Sequence, residues 1–275
     1  MSIDTNDVFV GRFVERVFSR SLIPDASCGA DDRAEIRTGS RPQLFFNNDT
    51  VVWPAEAEGG ASAFLAAFYG TREITNLAAA RTTSGWALYG AAVRIGGGAV
   101  VLTGRSGIGK TALLLALVAA GAAAYGDECV FIDRAGSTVD GLRRAFMIRE
   151  PLVELMNSLP GLRSACRRSP SLGRATTRLW YAVEPNDIFG ADVQAQPAPL
   201  RAIVTLDDER GESPLLEPAS RSLAMAEFAR RSHAKPRSLG DVAAAFEALG
   251  NVACYRLRVG EPAASAALIR EVCAP

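Results

Sequence analysis

The sequence predicts an α/β fold, and three observations carry that prediction. Helix-like and strand-like apolar patterns alternate from about Trp86 to the end of the chain. A short apolar run, Ala99 to Thr103, leads straight into a glycine-rich loop and then into a leucine-rich helical run. No internal repeat interrupts the alternation. With 275 residues and 48% hydrophobic content the chain can bury a sizeable core, as one large domain or two small ones.

The elements follow in order. Apolar residues at Val10, Phe13, Val14, Val17 and Phe18 recur at helical spacing and predict a helix within Val8 to Ile23. Gln43 to Trp53 reads as a hairpin, with Asn47, Asn48 and Asp49 as turn residues that tolerate positive φ. Ala61 to Tyr69 reads as a short helix, and Glu73 to Ala80 fits either class. Trp86 to Ile95 alternates as a strand does, Gly96 to Gly98 is a tight turn, and Ala99 to Thr103 is a strand buried on both faces. Ala112 to Ala120 is a buried helix stopped by Gly121. Ala122 to Ile132 is a strand interrupted by Gly126, Asp127 and Glu128. Met147 to Leu155 reads as a short helix, and the polar, Arg-rich stretch Arg163 to Arg178 as a surface loop. Leu200 to Leu206 is a strand with Asp207 to Gly211 as its turn. Helices over Arg221 to Phe228, Leu239 to Leu249 and Ala263 to Val272, with a strand over Cys254 to Val259, complete the pattern.

Composition narrows the function classes. Lys+Arg and Asp+Glu are 30 each, a balance that argues against non-specific attraction to nucleic acid or to anionic membrane. No apolar run approaches the roughly 20 residues of a membrane span, and the opening residues lack the apolar core of a secretory signal. The five cysteines are scattered and form no CxxC pair, which fits reduced thiols in a cytoplasmic protein rather than a disulfide framework or zinc site. A single histidine, His233, rules out a multi-histidine metal centre; its polar surroundings, Arg230 to Arg237, predict exposure. Nearly all the basic residues are arginine, and the only lysines are Lys110 and Lys235.

The stretch GRSGIGKT, Gly104 to Thr111, matches G-x-x-x-x-G-K-[ST]. In that pattern Gly104, Gly107 and Gly109 let the backbone curl, so that the N–H groups of the loop (Arg105, Ser106, Ile108 and their neighbours) point at phosphate oxygens. The following helix N-terminus adds donors and partial positive charge. Lys110 reaches the β- and γ-phosphates of ATP, and the Thr111 hydroxyl ligates Mg²⁺. A second chemical residue follows from arithmetic. A helix over Thr111 to Ala120 rises roughly 15 Å, and a strand over Ala122 to Gly126 travels back roughly 16 Å. Asp127 then arrives level with the loop at a strand's C-terminal end, where its carboxylate can hold Mg²⁺ or take a proton from an attacking hydroxyl. Strand alternation points Glu128 to the other face. An ordinary strand-end turn at Gly126 to Glu128 is the alternative.

The stretch Leu88 to Asp133, LYGAAVRIGGGAVVLTGRSGIGKTALLLALVAAGAAAYGDECVFID, resembles the catalytic domain of HPr kinase/phosphorylase. It is more similar still to the HPr-kinase-like P-loop proteins of bacterial peptide-biosynthesis clusters. The likeness rests on Ser106 and Gly107 in the loop, the interval from Lys110 to the acidic pair Asp127-Glu128, and the apolar hairpin before the loop. Leu200 to Asp207 and Tyr255 to Glu261 look like that family's closing strands. The resemblance implies a P-loop core of the HPr kinase and phosphoenolpyruvate carboxykinase type, with a mixed sheet flanked by helices. It covers about Trp86 to the C-terminus, where it implies a kinase domain over 85–275, and residues 1–84 before it read as a β-rich lead-in packed on the core. It makes Asp127 the general base toward a serine hydroxyl, Gly104 to Thr111 the ATP loop, and Thr111, Asp127 and Glu128 the candidate Mg²⁺ ligands. The acceptor it implies is a hydroxyl of a peptide or small protein, and it hints at a homo-oligomer. Two positions depart: Glu128 stands where the kinase usually has Asp, and Tyr89 where the family often has His. A tyrosine cannot share the base's proton at neutral pH, though it can hydrogen-bond. That departure weighs against the phosphorolysis half of the family's cycle.

Among other candidates, Arg143, Arg144 and Arg149 could neutralise charge on a transferring phosphoryl group, with Arg149 the preferred catalytic choice; surface charge is the alternative. Arg163 to Arg174 offers a lid, an acidic-substrate dock or a self-modification site at Arg167-Arg168-Ser169, against a plain solvated loop. The functional expectation is an Mg-ATP-dependent kinase acting on a hydroxyl, with no nucleic acid and no membrane as partner. The rivals are a small-molecule kinase, a nucleotide-binding partner protein without catalysis, and a phosphatase or phosphorylase.

Overall fold

Every residue of Gly98–Thr103 is buried, as a strand covered on both faces requires. In the computed structural model this strand lies inside a six-stranded mixed sheet. The strand order is Leu215–Pro218, Ala253–Val259, Leu200–Arg210, Gly98–Thr103, Ala91–Ile95, Ala123–Asp127. The structure describes residues 2–18, 33–38, 43–46, 49–51, 66–67, 70–76, 85–133, 138–157, 159–169, 171–172, 179–233 and 239–273. It divides into two compact units: residues 1–77 with 144–190, and residues 78–143 with 191–275.

The second unit carries the sheet. Leu200–Arg210 pairs in parallel with both Gly98–Thr103 and Ala253–Val259. Ala91–Ile95 runs antiparallel to Gly98–Thr103 and to Ala123–Asp127. Those two outer strands therefore point the same way, and their C-terminal ends share one edge of the sheet. Ala92, Ala99, Val101 and Ile203 pack with Met225, Phe228 and Ala245 from the helices Arg221–Arg231 and Leu239–Ala248, and with Leu249 just past the second. The alternate residues Val100, Leu102 and Val204 are also buried and point to the opposite face. The helix Lys110–Ala119, buried from Ala112 to Val118, packs on Ala91–Ile95 and Ala123–Asp127 and against the helix Pro262–Cys273. A three-stranded antiparallel sheet, Val139–Gly141, Val130–Asp133, Gly85–Leu88, completes the unit.

The first unit is separate in its logic. Ser2–Thr5 pairs in parallel with Arg33–Arg37, and Gln43–Phe46 and Asp49–Val51 follow antiparallel, with Phe46 opposite Asp49. The helix Val8–Phe18 buries Val10, Phe13, Val14, Val17 and Phe18, one stripe at helical spacing. Asp7 caps it, its Oδ1 accepting from the N–H groups of Phe9 (2.8 Å) and Val10 (3.0 Å).

Three expectations for local structure are corrected. Met147 to Leu155 is not one helix: Phe146–Arg149 is a strand paired with Trp180–Val183, and the helix Glu150–Leu155 starts after it. Pro151, at the first helical turn, fixes that start. Arg163 to Arg178 is not simply a loop, because Pro160–Arg168 is a helix burying Leu162, Ala165 and Cys166; their spacing of three and four was the signal, masked by the intervening arginines. Residues 173–178 lie outside the described residues. Asp207 to Gly211 is not a turn, since the strand continues to Arg210 through a register shift beyond Leu206. Of the other short segments, residues 70–76 are helical, and of Ala61 to Tyr69 only 66–67, also helical, are described.

Candidate functional site

The glycine loop leaves the C-terminal end of Gly98–Thr103 and enters the helix Lys110–Ala119. Gly104, Gly107 and Gly109 take φ values of 142°, 82° and 121°, a region that side chains rarely adopt. A Cβ on Gly104 would come within 3.2 Å of Ile108 Cγ2 and 3.3 Å of Leu206 Cβ, so the loop is tightly seated there and only glycine fits without strain. Gly109 offers the helix no side-chain cap, which leaves the first-turn N–H groups to an anion or to solvent. Lys110 is 5% exposed. Its Nζ donates to the carbonyls of Gly104 and Arg105, both at 2.9 Å, and lies 4.5 Å from the centroid of the Tyr89 ring.

Asp127 ends its strand opposite Ala91 and is 5% exposed. The Thr111 hydroxyl donates to Asp127 Oδ2 at 2.7 Å. The return path through the helix and the following strand thus brings the loop's hydroxyl and this carboxylate into contact. Asp127 Oδ1 accepts from the Glu128 N–H at 3.1 Å. Glu128 has φ 73°, the one positive value outside glycine among the described residues.

The far end of Leu200–Arg210 buttresses the loop, a feature the turn predicted there had hidden. Arg210 Nη2 donates to the Ile108 carbonyl at 3.2 Å. Arg105 Nε pairs with Asp208 Oδ1 at 2.6 Å across an exposed surface, so the pair adds little stability by itself. Asp207 pairs with Arg256 at 2.7 Å, and the hydrogen bond from that guanidinium holds the Asp207 carboxyl below its ordinary value. Deeper in, the hydroxyls of Thr103 and Thr205 are 3.2 Å apart and join the two parallel strands under the loop.

Among solved structures, the HPr(Ser) kinase/phosphatase from Coxiella burnetii is similar, with a TM-score of 0.34 and 12% sequence identity over 68% of this chain and 95% of that one. No family model matches the chain, and no curated protein matches it by sequence.

Thr111 and Asp127 are a fitting start for a Mg²⁺ site, since both present hard oxygen donors. Among the described residues no cluster of three or more His, Cys, Asp or Glu side chains assembles, so a metal here would take other ligands from phosphate and water. Arg143 is exposed. Arg144 is not surface charge: it is 4% exposed, donates to Thr75 Oγ1 at 2.8 Å and lies over the Phe18 ring within the first unit. Arg149, in the same unit, stacks on Trp180 with its guanidinium carbon 4.4 Å from the ring centroid. His233 overturns its expectation. It is half-buried, with Nε2 at 3.3 Å from the Glu128 carbonyl. Cys129, Cys166, Cys254 and Cys273 are buried. Burial pushes the Cys166 thiol up to about 11, away from thiolate chemistry. No helix among the described residues is long and apolar enough to cross a membrane.

Proposed function

We propose that the chain is an Mg-ATP-dependent phosphotransferase that moves the γ-phosphoryl group to a hydroxyl, that of a serine or threonine in a peptide or small protein. One observation carries the reading: the Thr111 hydroxyl bonded to the Asp127 carboxylate at 2.7 Å, beside a loop whose lysine is already folded inward. The main-chain N–H groups of Gly104 to Thr111 and the Lys110 ammonium bind the β- and γ-phosphates. Thr111 Oγ1 and an Asp127 oxygen hold Mg²⁺, with Glu128 the further candidate. The metal, when bound, offsets charge on the phosphate oxygens. Asp127 orients the acceptor hydroxyl and takes its proton as the new O–P bond forms and the bond from the γ-phosphorus to the β–γ bridging oxygen breaks, releasing ADP. Burial of Asp127 and Lys110 keeps water from competing for either group.

Mass spectrometry of products tests the proposal, after incubation with Mg-ATP and hydroxyl-bearing peptides encoded beside the gene. Phosphorylated peptide from the parent and none from Asp127→Ala is the expected result, with ATP uptake retained in the variant. A parent that takes up Mg-ATP yet phosphorylates no peptide and no small alcohol would instead be a nucleotide-responsive partner protein.

A further inference from the structure

The Tyr89 ring lies between an ammonium and an imidazole. The Lys110 ammonium lies 4.5 Å from its centroid. The His233 imidazole stands almost perpendicular to it, at 80° and 6.3 Å between centroids. The backbone fixes His233 in that place. Past the helix Arg221–Arg231 the chain runs beside Gly85–Leu88: Leu88 bridges Ser232 antiparallel, Tyr89 N donates to the Arg231 carbonyl at 2.7 Å, and His233 N donates to the Ala87 carbonyl at 2.9 Å. The same imidazole reaches the turn after Asp127, with Nε2 at 3.3 Å from the Glu128 carbonyl. A carbonyl only accepts, so Nε2 carries the proton. That turn needs a hold, because Glu128 sits at φ 73°, where a non-glycine residue is strained.

We propose that His233 is a positioning residue of the candidate nucleotide site. Through the Tyr89 ring it sets where the Lys110 ammonium rests, and through the Glu128 carbonyl it sets the turn that presents Asp127. One side chain from the C-terminal part of the unit thus couples the phosphate-binding cation to the carboxylate. The inference rests on the reading of Gly104 to Thr111 as a nucleotide loop. Its two arms are chemically separable: an aromatic edge against Tyr89, which a phenylalanine keeps, and a donor to Glu128, which a glutamine keeps.

The chain's two lysines make the test direct. In protein labelled with ¹³C-lysine, the Lys110 ε-methylene signal is displaced by the ring beneath it, while Lys235 serves as reference. His233→Ala should move the Lys110 signal and weaken Mg-ATP binding about 3- to 10-fold by calorimetry, the range expected for loss of one aromatic edge contact. His233→Phe should restore the signal and the affinity, and His233→Gln should restore neither. Thermal midpoints identify variants that unfold, and His233→Phe keeps the packing if His233→Ala does not. A folded His233→Ala whose lysine signal and affinity match the parent overturns the proposal. So does an equal loss in all three variants that tracks a lowered midpoint. A parent that takes up no Mg-ATP overturns the nucleotide reading instead, and the lysine signal alone then decides the coupling.

Discussion

Gly104 to Thr111 forms one part of the site from a single unbroken stretch, shaped by three positive-φ glycines and stitched by bonds from Lys110 to carbonyls five and six residues back. The part formed by Tyr89, Asp127-Glu128 and His233 is assembled from three stretches, and its imidazole-to-carbonyl bond joins residues 105 positions apart. The first part costs little loop-closure entropy, because its ends are already near in sequence. The second exists only after Gly85–Leu88 has paired with Val130–Asp133 and with the segment at Ser232. A contiguous loop can thus be ruined at one residue, whereas an assembled wall spreads its hold over several and should yield by degrees.

Substitutions can break that contrast. The largest effect belongs to the residue that touches both parts. Asp127→Ala should lower phosphoryl transfer about 10²- to 10⁴-fold in single-turnover assays while ATP still binds. Next, Gly109→Ala puts a side chain at φ 121°. It should cost about 1–3 kcal/mol in urea unfolding and reduce nucleotide binding with it. In the assembled part, Tyr89→Leu removes the ring beneath Lys110 and should weaken Mg-ATP binding by a few-fold to roughly 30-fold, while Tyr89→Phe stays within about 2-fold of the parent. If Tyr89→Leu proves as damaging as Gly109→Ala, the assembled part is as brittle as the loop and the contrast fails. The smallest effect is expected at Arg256→Ala. Because the Asp207 carboxyl is held below its ordinary value by Arg256, the stabilisation is present above the ordinary carboxylate range and is lost as pH falls through the lowered value. Thermal midpoints of parent and variant should therefore differ slightly at neutral pH and converge on acidification.

The same contrast explains what could be read in advance. The strand Gly98–Thr103, the helix Lys110–Ala119 and the contact of Thr111 with Asp127, 16 positions on, all follow from local pattern and from rise per residue. The strand Phe146–Arg149 is hidden because three apolar residues, Phe146 to Ile148, fit a helix or a strand equally well, and only pairing with Trp180–Val183 decides. The acidic tail of Leu200–Arg210 resembles a turn in isolation. It stays extended because Arg210 rejoins the ladder opposite Val259 and Asp207 finds Arg256 on that same neighbouring strand. His233 was least legible of all, since its polar neighbours in sequence are not its neighbours in space. Only a strand bridge at Ser232 carries it to Tyr89.

Leu200–Arg210 lies between two parallel partners, and its last residue supports the loop from 102 positions downstream. During synthesis at about 5–20 residues per second, the loop therefore waits roughly 5–20 seconds for its buttress to be made. Through that interval the leucine-rich helix behind it can lie on Ala91–Ile95 and Ala123–Asp127, but the helix Pro262–Cys273 that packs against it is not yet made.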